Sequence, residues 1–360
     1  MNSAVRNDAY DKGALLRSLL NNLGIQEILD ARLENGVTDI AINRPYEIWV
    51  ENADGWNSIP APDLTLDRLM KFATAFAIFN SSNISFDNPI CSGVLPNGER
   101  GQVMIPPSVE DNTVAISIRV PSSTRFGLDG YKSSGRLSNY KSNGKAVIEI
   151  AKNPNLSDLD KLQEFERQLL SYMENQELDK FVQLAVEKKL NIVLVGGTGS
   201  GKTTFTKAVV DCIPKSVRLF TIEDTPELDL PKQPNHVHLF YGRSGVTPKA
   251  LVKSCMRMKP DRVLLTELRG DEAWDYLSLL NTGHAGSVTT VHANDCESAY
   301  YRIGSLIKQS EIGQTLDFNY IMKEVFTTLD VMMFFEKTFL KEVSYNPIRK
   351  YKLLNGANYE

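Results

Sequence analysis

The residues with the clearest chemistry lie between Gly196 and Thr203, in the order Gly-Gly-Thr-Gly-Ser-Gly-Lys-Thr. This segment fits the pattern G-x-x-x-x-G-K-[ST], and it follows an apolar, β-branched run (192–195) that is typical of a buried strand. Its glycines allow the loop N–H groups to turn inward around phosphate oxygens. Lys202 supplies a cation for the phosphates, and the Thr203 hydroxyl can ligate Mg²⁺. The sequence therefore predicts a nucleoside-triphosphate site. Its residues are Gly196, Gly197, Thr198, Gly199, Ser200, Gly201, Lys202, Thr203 and Thr204.

Two acids follow predicted strands beyond this loop. Glu223 comes after the strand at 218–222, and Glu267 comes after the apolar strand at 262–266. In phosphate-loop enzymes one acid at a strand end holds Mg²⁺, and a second acid can polarise the attacking water. A single acid at a strand end is usually only a helix cap. Two acids together with the loop favour a catalytic role.

Two of the four histidines, His284 and His292, bracket a further predicted strand at 287–291. Lone histidines are more often core or surface residues, but a pair beside two acids can sense the γ-phosphate. We do not expect zinc here, because neither cysteines nor a His-Glu helix pair accompany them.

The elements that must position these groups are predicted in two parts. Residues 1–121 indicate an N-terminal α+β domain with a sheet of short strands and no enzyme motif. Residues 122–160 lose periodicity and are rich in Gly, Ser, Asn and Lys, which predicts a flexible interdomain linker with some helix. Residues 161–360 alternate strands and helices, which predicts a C-terminal α/β P-loop domain with a mostly parallel sheet.

Two arginines in the N-terminal domain stand out. Alternation along Val114 to Val120 places Arg119 on the face opposite the apolar residues, and Arg100 follows an Asn-Gly turn. The simple interpretation is that both are solvated surface residues.

The bulk composition excludes several classes of protein. A formal charge of −4 over 360 residues argues against a dedicated nucleic-acid binder. No apolar run is long enough to span a bilayer, and the N-terminus has no signal-peptide core. The four cysteines are widely spaced, which indicates reduced thiols in a cytosolic protein.

Several motifs, in order, resemble those of the secretion (traffic) ATPase superfamily, whose C-terminal domain is RecA-like. The Walker A, Asp box, Walker B and His box correspond to Gly196 to Thr204, Thr221 to Leu228, Leu264 to Gly270 and Thr282 to Ala293. The segment Arg257 to Asp261 occurs in order among these superfamily motifs. Further segments look like the hexameric ATPase of bacterial type IV secretion systems: Val37 to Pro45, Leu95 to Arg100, Ile116 to Pro121 and Pro234 to Phe240. Two departures are Thr266, where Gly or Ala usually precedes the Walker B Glu, and Lys259, where many relatives have Arg.

The resemblance implies a six-membered ring that hydrolyses ATP to power substrate translocation or pilus assembly. ATP would bind between the N-terminal and motor domains. Thr203 and Glu267 would serve Mg²⁺, and Glu223 would activate water. The His box residues, His284 and His292, would sense the nucleotide.

The resemblance also implies roles beyond the motor domain. Arg100 and Arg119 would face the nucleotide's phosphates from the N-terminal domain. The ring would be cytoplasmic and peripheral to the inner membrane, working with other ATPases and inner-membrane components. The long linker looks like that of the branch in which domains swap between neighbouring subunits.

Three other functions stay open. A type II secretion or type IV pilus ATPase usually has a different N-terminal domain, often with a tetracysteine zinc insert that this sequence lacks. A nucleotide-dependent switch would bind ATP with little turnover. A nucleic-acid translocase would need a basic or aromatic strand-binding channel, which the sequence does not reveal.

We predict that Lys202→Ala leaves the fold intact, because a lysine in a loop buries little surface. The variant should lose hydrolysis, because it lacks the cation on the transferring phosphoryl group. Circular dichroism and steady-state phosphate release measure the two properties. Near-wild-type turnover by a folded variant would contradict the ATPase assignment.

Overall fold

The protein is described here by a computed structural model that covers residues 13–52, 54–120, 125–153, 161–242 and 245–357. The chain divides into two compact units, Met1–Ser123 and Thr124–Glu360. The predicted domain boundaries at 121 and 160 stay predictions. The ends of the predicted linker, 122–124 and 154–160, and the N-terminal residues 1–12 lie outside the described residues.

The first unit is an α+β fold, as predicted. Its elements in chain order are α1 (Ala14–Asn22), α2 (Ile25–Asp30), α3 (Arg32–Asn35), β1 (Asp39–Ile42), β2 (Glu47–Asn52), β3 (Gly55–Pro60), α4 (Leu66–Phe79), β4 (Ile90–Val94), β5 (Arg100–Met104) and β6 (Ala115–Arg119).

The strands of this unit form one antiparallel sheet in the order β3-β2-β1-β6-β5-β4. Alternating residues such as Ile40, Val103 and Ile118 are buried in a common core with α1 and α4 residues such as Leu20 and Phe76. The edge strand β3 is not predicted by the sequence. Its residues are mostly exposed and lack the alternation that marks a half-buried strand.

The second unit contains the remaining elements. They are α5 (Leu128–Ser133), β7 (Lys141–Ser142), α6 (Gly144–Ala151), α7 (Glu164–Glu174), α8 (Leu178–Glu187), β8 (Ile192–Val195), α9 (Lys202–Val210), β9 (Leu219–Glu223), β10 (His236–Phe240), α10 (Pro248–Met258), β11 (Arg262–Leu265), α11 (Glu272–Asn281), β12 (Val288–Val291), α12 (Cys296–Gln309), α13 (Glu311–Thr315), α14 (Phe318–Thr328), β13 (Val331–Glu336), β14 (Phe339–Tyr345) and α15 (Pro347–Leu354).

This unit has the predicted α/β RecA-like architecture. One sheet runs β10-β9-β11, and the other runs β12-β8-β13-β14-β7. All neighbouring pairs are parallel except the hairpin β13–β14. The Leu268 N–H donates to the Thr290 carbonyl at 2.9 Å, which links the segment after β11 to β12. Helices cover both faces, because the central strands are apolar on both sides.

The described part of the predicted linker packs into the second unit. The side chains of Leu128, Tyr131, Tyr140 and Val147 are buried in one of its two cores, and β7 pairs with β14. These residues are therefore not the flexible connection that the sequence led us to expect. Their apolar positions are too far apart, among Gly, Ser and Asn, to give a recognisable period.

A buried side chain, Asn191, fixes where the central strands begin. Its Oδ1 accepts from the Gly286 and Ser287 N–H groups at 2.9 and 3.2 Å, and its Nδ2 donates to the Thr328 carbonyl at 2.8 Å. Its backbone N–H donates to Asp330 Oδ2 at 2.8 Å. A single residue thus ties the start of β8 to the segments that lead into β12 and β13. This register sets the opposite strand ends, where the predicted site lies.

Candidate functional site

The predicted P-loop forms a tight turn between β8 and α9. Gly196, Gly199 and Gly201 have φ angles of 148°, 71° and 86°, which favour glycine. A Cβ on Gly196 would lie 2.3 Å from the Phe335 carbonyl oxygen, so the turn approaches β13 too closely for any side chain. The Ser200 hydroxyl donates to the Gly197 carbonyl at 2.8 Å and closes the loop. The loop therefore has the close-packed, backbone-lined form that phosphate binding requires.

The Lys202 ammonium group lies against this loop. Its Nζ donates to the carbonyls of Gly196 and Gly197 at 2.6 and 2.7 Å. Only 8% of the residue is exposed, so the expectation that this lysine buries little surface is wrong. Its positive charge therefore lies beside the first two residues of the P-loop.

The hydroxyl predicted to ligate Mg²⁺ is bonded to an acid. Thr203 Oγ1 donates to Glu227 Oε2 at 3.0 Å, which brings the Asp box segment to the first turn of α9. Glu227 was not among the predicted site residues. The signal that could have found it is its position four residues after Glu223, within the same motif.

Glu223 itself is fully buried and supports the backbone around it. Its Oε2 accepts from the N–H groups of Glu227 and Leu228 at 2.9 and 3.0 Å. Its Oε1 accepts from the Thr221 hydroxyl at 2.6 Å and lies 3.1 Å from His238 Nδ1. These contacts use the acceptor positions of both oxygens, as a buried carboxylate requires.

Glu267, after β11, is held from two sides. Its Oε2 accepts from Arg269 at 2.7 Å, and its Oε1 lies 3.2 Å from His292 Nε2. Arg269 also binds Asp224 at 3.0 Å, and these acids raise the pKa of its guanidinium. β12 separates Glu267 from the P-loop strand, because the Leu268 N–H after β11 donates to Thr290 of β12, and β12 pairs with β8.

The two predicted sensor histidines differ in their surroundings. Burial and the Lys202 charge lower the pKa of His292, and the Glu267 charge opposes this effect. His284 has a buried Nδ1 with no hydrogen-bond partner within the described chain. A buried polar atom without a partner is uncommon in a folded protein.

Among the described residues, no cluster of three or more His, Cys, Asp or Glu side chains is placed to hold a metal ion. Mg²⁺ at a nucleotide site needs only one or two protein ligands, because phosphates and water supply the rest. Thr203, Glu227 and Glu267 fit that requirement by their chemistry. None of the helices in the described ranges is long and apolar enough to cross a membrane.

In the first unit the two predicted arginines are direct neighbours. Arg100 on β5 pairs in register with Arg119 on β6, and Arg119 pairs in turn with Asp39 on β1. Paired residues of antiparallel strands point to the same face, so the two guanidinium groups share one half-buried surface. Burial raises the pKa of Asp39, and the charge of Arg119 opposes that rise.

A family model described as "Type II/IV secretion system protein" matches residues 25–331. The type IV secretion system protein VirB11 of Brucella suis is 36% identical over 330 residues, covering 90% of this chain and 87% of that protein. The VirB11 protein of Bartonella quintana is 38% identical over 332 residues, covering 90% of this chain and 92% of that protein.

Solved structures of related proteins are also similar to this chain. The crystal structure of the VirB11 ATPase from the Brucella suis type IV secretion system, in complex with sulphate, has a TM-score of 0.53 at 36% identity and covers 96% of this chain and 98% of that chain. The pilus retraction motor PilT with bound ADP has a TM-score of 0.56 at 18% identity, covers 92% of this chain and 87% of that chain, and is similar in fold alone. The resemblance read from the sequence motifs is confirmed, and the chain belongs to the type II/IV secretion system protein family.

Proposed function

We propose that this protein is an ATP-hydrolysing ring motor that powers substrate translocation, pilus assembly or both in a bacterial type IV secretion system. The observation that carries the proposal is the contact between Thr203 at the P-loop and the acid Glu227. This contact brings a phosphate cradle and a carboxylate within one hydrogen bond. The VirB11 relatives, named for type IV secretion, support the biological setting.

The P-loop and its lysine bind the triphosphate in this proposal. The N–H groups of residues 196–204 face the phosphate oxygens, and the N-terminus of α9 adds its positive dipole end. The Lys202 ammonium then exchanges the carbonyls of Gly196 and Gly197 for phosphate oxygens. This exchange replaces two neutral acceptors with charged ones and strengthens the hydrogen bonds.

Mg²⁺ is the proposed cofactor, and Thr203 and Glu267 are its proposed protein partners. When bound, it supplies positive charge that neutralises the triphosphate. The Thr203 hydroxyl donates its hydrogen to Glu227 and keeps its oxygen lone pairs for the ion. We propose that Glu227 orients this hydroxyl and shares in holding the ion's water shell. His292 Nε2 lies 3.2 Å from Glu267 Oε1, and we propose that this contact helps to orient the carboxylate.

Two acids are candidates for activating the attacking water. The sequence assigns this role to Glu223, but its carboxylate is buried and already accepts hydrogen bonds on both oxygens. Glu227 lies on the P-loop side of the same segment. We propose that Glu227 polarises the water and that Glu223 is the positioning residue that shapes the backbone carrying it.

The first unit is proposed to complete the site with Arg100 and Arg119, which offer a pair of guanidinium groups suited to phosphate. His284 and His292 are proposed to sense the nucleotide. The ring is proposed to have six subunits and to work at the cytoplasmic side of the inner membrane with other ATPases and inner-membrane components of the machine.

The acids are separated by two variants. Glu227→Gln should retain nucleotide binding and lose roughly 10²–10⁴ in turnover, because an amide cannot accept the proton. Glu223→Gln should destabilise the segment, because a neutral amide oxygen accepts weaker hydrogen bonds from the backbone N–H groups than a carboxylate does. The turnover, the ADP affinity and the thermal midpoint of each variant show which acid has which role. Normal hydrolysis by Glu227→Gln with a stable, inactive Glu223→Gln would restore the original assignment.

Assembly can be tested without mutation. If the site is completed between subunits, specific ATPase activity should rise with protein concentration over the range in which the ring forms. Light scattering gives the oligomeric state at each concentration, and a titration of Mg²⁺ measures metal dependence. Constant activity from a monomeric species would refute the ring proposal, and nucleotide binding without turnover would indicate a switch.

Arg119 tests whether the first unit reaches the nucleotide. In the proposed role, Arg119→Ala should cut turnover by up to roughly 10³-fold, as loss of an arginine finger does. As a surface residue its loss should change the free energy of unfolding by no more than about 0.5 kcal/mol and leave turnover unchanged. Arg44→Ala is the matched control, because Arg44 is an exposed arginine of the same unit that pairs with Glu47. Turnover is measured on the assembled ring, and Arg100→Ala should behave like Arg119→Ala.

A further inference from the structure

A cluster of charged residues joins three parts of the second unit away from the P-loop. The Arg125 guanidinium binds both carboxylate oxygens of Asp211, at the C-terminal end of α9; its Nε lies 3.0 Å from Oδ2. Its NH1 lies 2.7 Å from Asp229 Oδ2 and 3.1 Å from the Asp229 carbonyl oxygen. Lys207 of α9 lies 3.3 Å from the other oxygen of Asp229. Arg125 thus binds the helix and the segment beyond β9 at once.

The charges of neighbouring residues stabilise the ion pairs of this cluster. Only 21% of the Arg125 side chain and 9% of the Asp211 side chain are exposed. The hydrogen bond to Asp211 is the main cause of the raised pKa of Arg125. Burial favours the neutral form of Asp229, but Lys207 and Arg125 outweigh it and lower its pKa. A bidentate, half-buried pair of this kind holds its geometry better than an exposed pair.

The segment that Arg125 holds is the one that carries Glu227. Residues 224–235 connect β9 to β10 without a helix or strand among them. Glu227 meets Thr203 in the first turn of α9, and Gln233 donates to the Val210 and Ile213 carbonyls at the end of that helix, both at 3.1 Å. Asp229 lies between these two attachments. Its contacts therefore set how closely the middle of the segment lies along α9.

We propose that Arg125 is a positioning residue for nucleotide cleavage, which holds the Glu227-bearing segment against α9 by binding Asp211 and Asp229 together. This inference rests on the proposed function, since it acts through the proposed role of Glu227. The groups that bind phosphate belong to the P-loop and the first turn of α9, which Arg125 does not contact. Loss of Arg125 should therefore lower turnover while nucleotide affinity is kept.

The primary test uses Arg125→Ala and Arg125→Lys in the full-length protein. Arg125→Ala should lower kcat by about 10- to 100-fold, because small misplacements of a reacting group have effects of this size. Its ADP affinity should stay within about threefold. Arg125→Lys should recover part of the loss, because it keeps the charge but not the planar fork. Lys132→Ala is the control, since Lys132 follows Arg125 closely in the chain but pairs at 2.9 Å with Asp179 on α8 instead.

A double variant separates positioning from simple stabilisation. If Arg125 acts through Glu227, adding Arg125→Ala to Glu227→Gln should reduce turnover no further. Full additivity, or an Arg125→Ala protein with normal kcat, would overturn the inference. If Arg125→Ala does not fold, Asp229→Asn tests the same contact from the other side and should show the same kcat loss at kept ADP affinity.

The controls distinguish this inference from the proposed function. If the wild-type protein hydrolyses ATP and Lys202→Ala does not, the proposed ATPase stands whatever Arg125→Ala does. If Glu227→Gln is fully active, the role of Glu227 fails and the inference fails with it. If Glu227→Gln is inactive and Arg125→Ala and Asp229→Asn are both normal, only the inference is wrong.

Discussion

The burial of β8 on both faces is the constraint on which the second unit depends. Ile192 and Leu194 belong to one core, and Val193 and Val195 belong to the other, so neither face of this strand can carry a polar side chain. Polar groups that could bind a ligand can follow only where the strand ends, and the P-loop begins at that point. At the other end, the Asn191 side chain satisfies the backbone groups that would otherwise be buried without partners. The strand is thus fixed at both ends by polar contacts and between them by apolar packing.

The three acids of the site divide their tasks according to what surrounds them. A buried carboxylate is stable only when donors satisfy it, and Glu223 has such donors in its own segment. Because it is satisfied, it holds the backbone from which Glu227 reaches Thr203. Glu267 is more exposed and lies between the Arg269 guanidinium and the His292 imidazole, so its orientation is set from two sides. Each acid therefore has a defined orientation, which a preorganised site requires.

The sequence predicted the parts of the structure that leave a local pattern. Apolar runs located β8 and β11, alternation located β6, and the motif located the P-loop. The parts that it missed depend on contacts between distant segments. Arg125 lies more than 80 residues before Asp211, and nothing in the spacing of the chain connects them. Glu227 was passed over for Glu223 because both follow the same strand, and only the fold shows which carboxylate reaches Thr203.

The pairing of Arg100 with Arg119 is unusual for a merely structural sheet. Like charges directly opposite each other on neighbouring strands repel and destabilise a sheet, and Asp39 is the in-register partner of Arg119 on its other side. Exposed arginines could turn their guanidinium groups apart into water. Both residues are half-buried, which limits this movement. The repulsion would be removed by a polyanion that both guanidinium groups bind. We propose that a triphosphate is this polyanion, because it has the charge and the oxygen geometry that a pair of guanidinium groups binds.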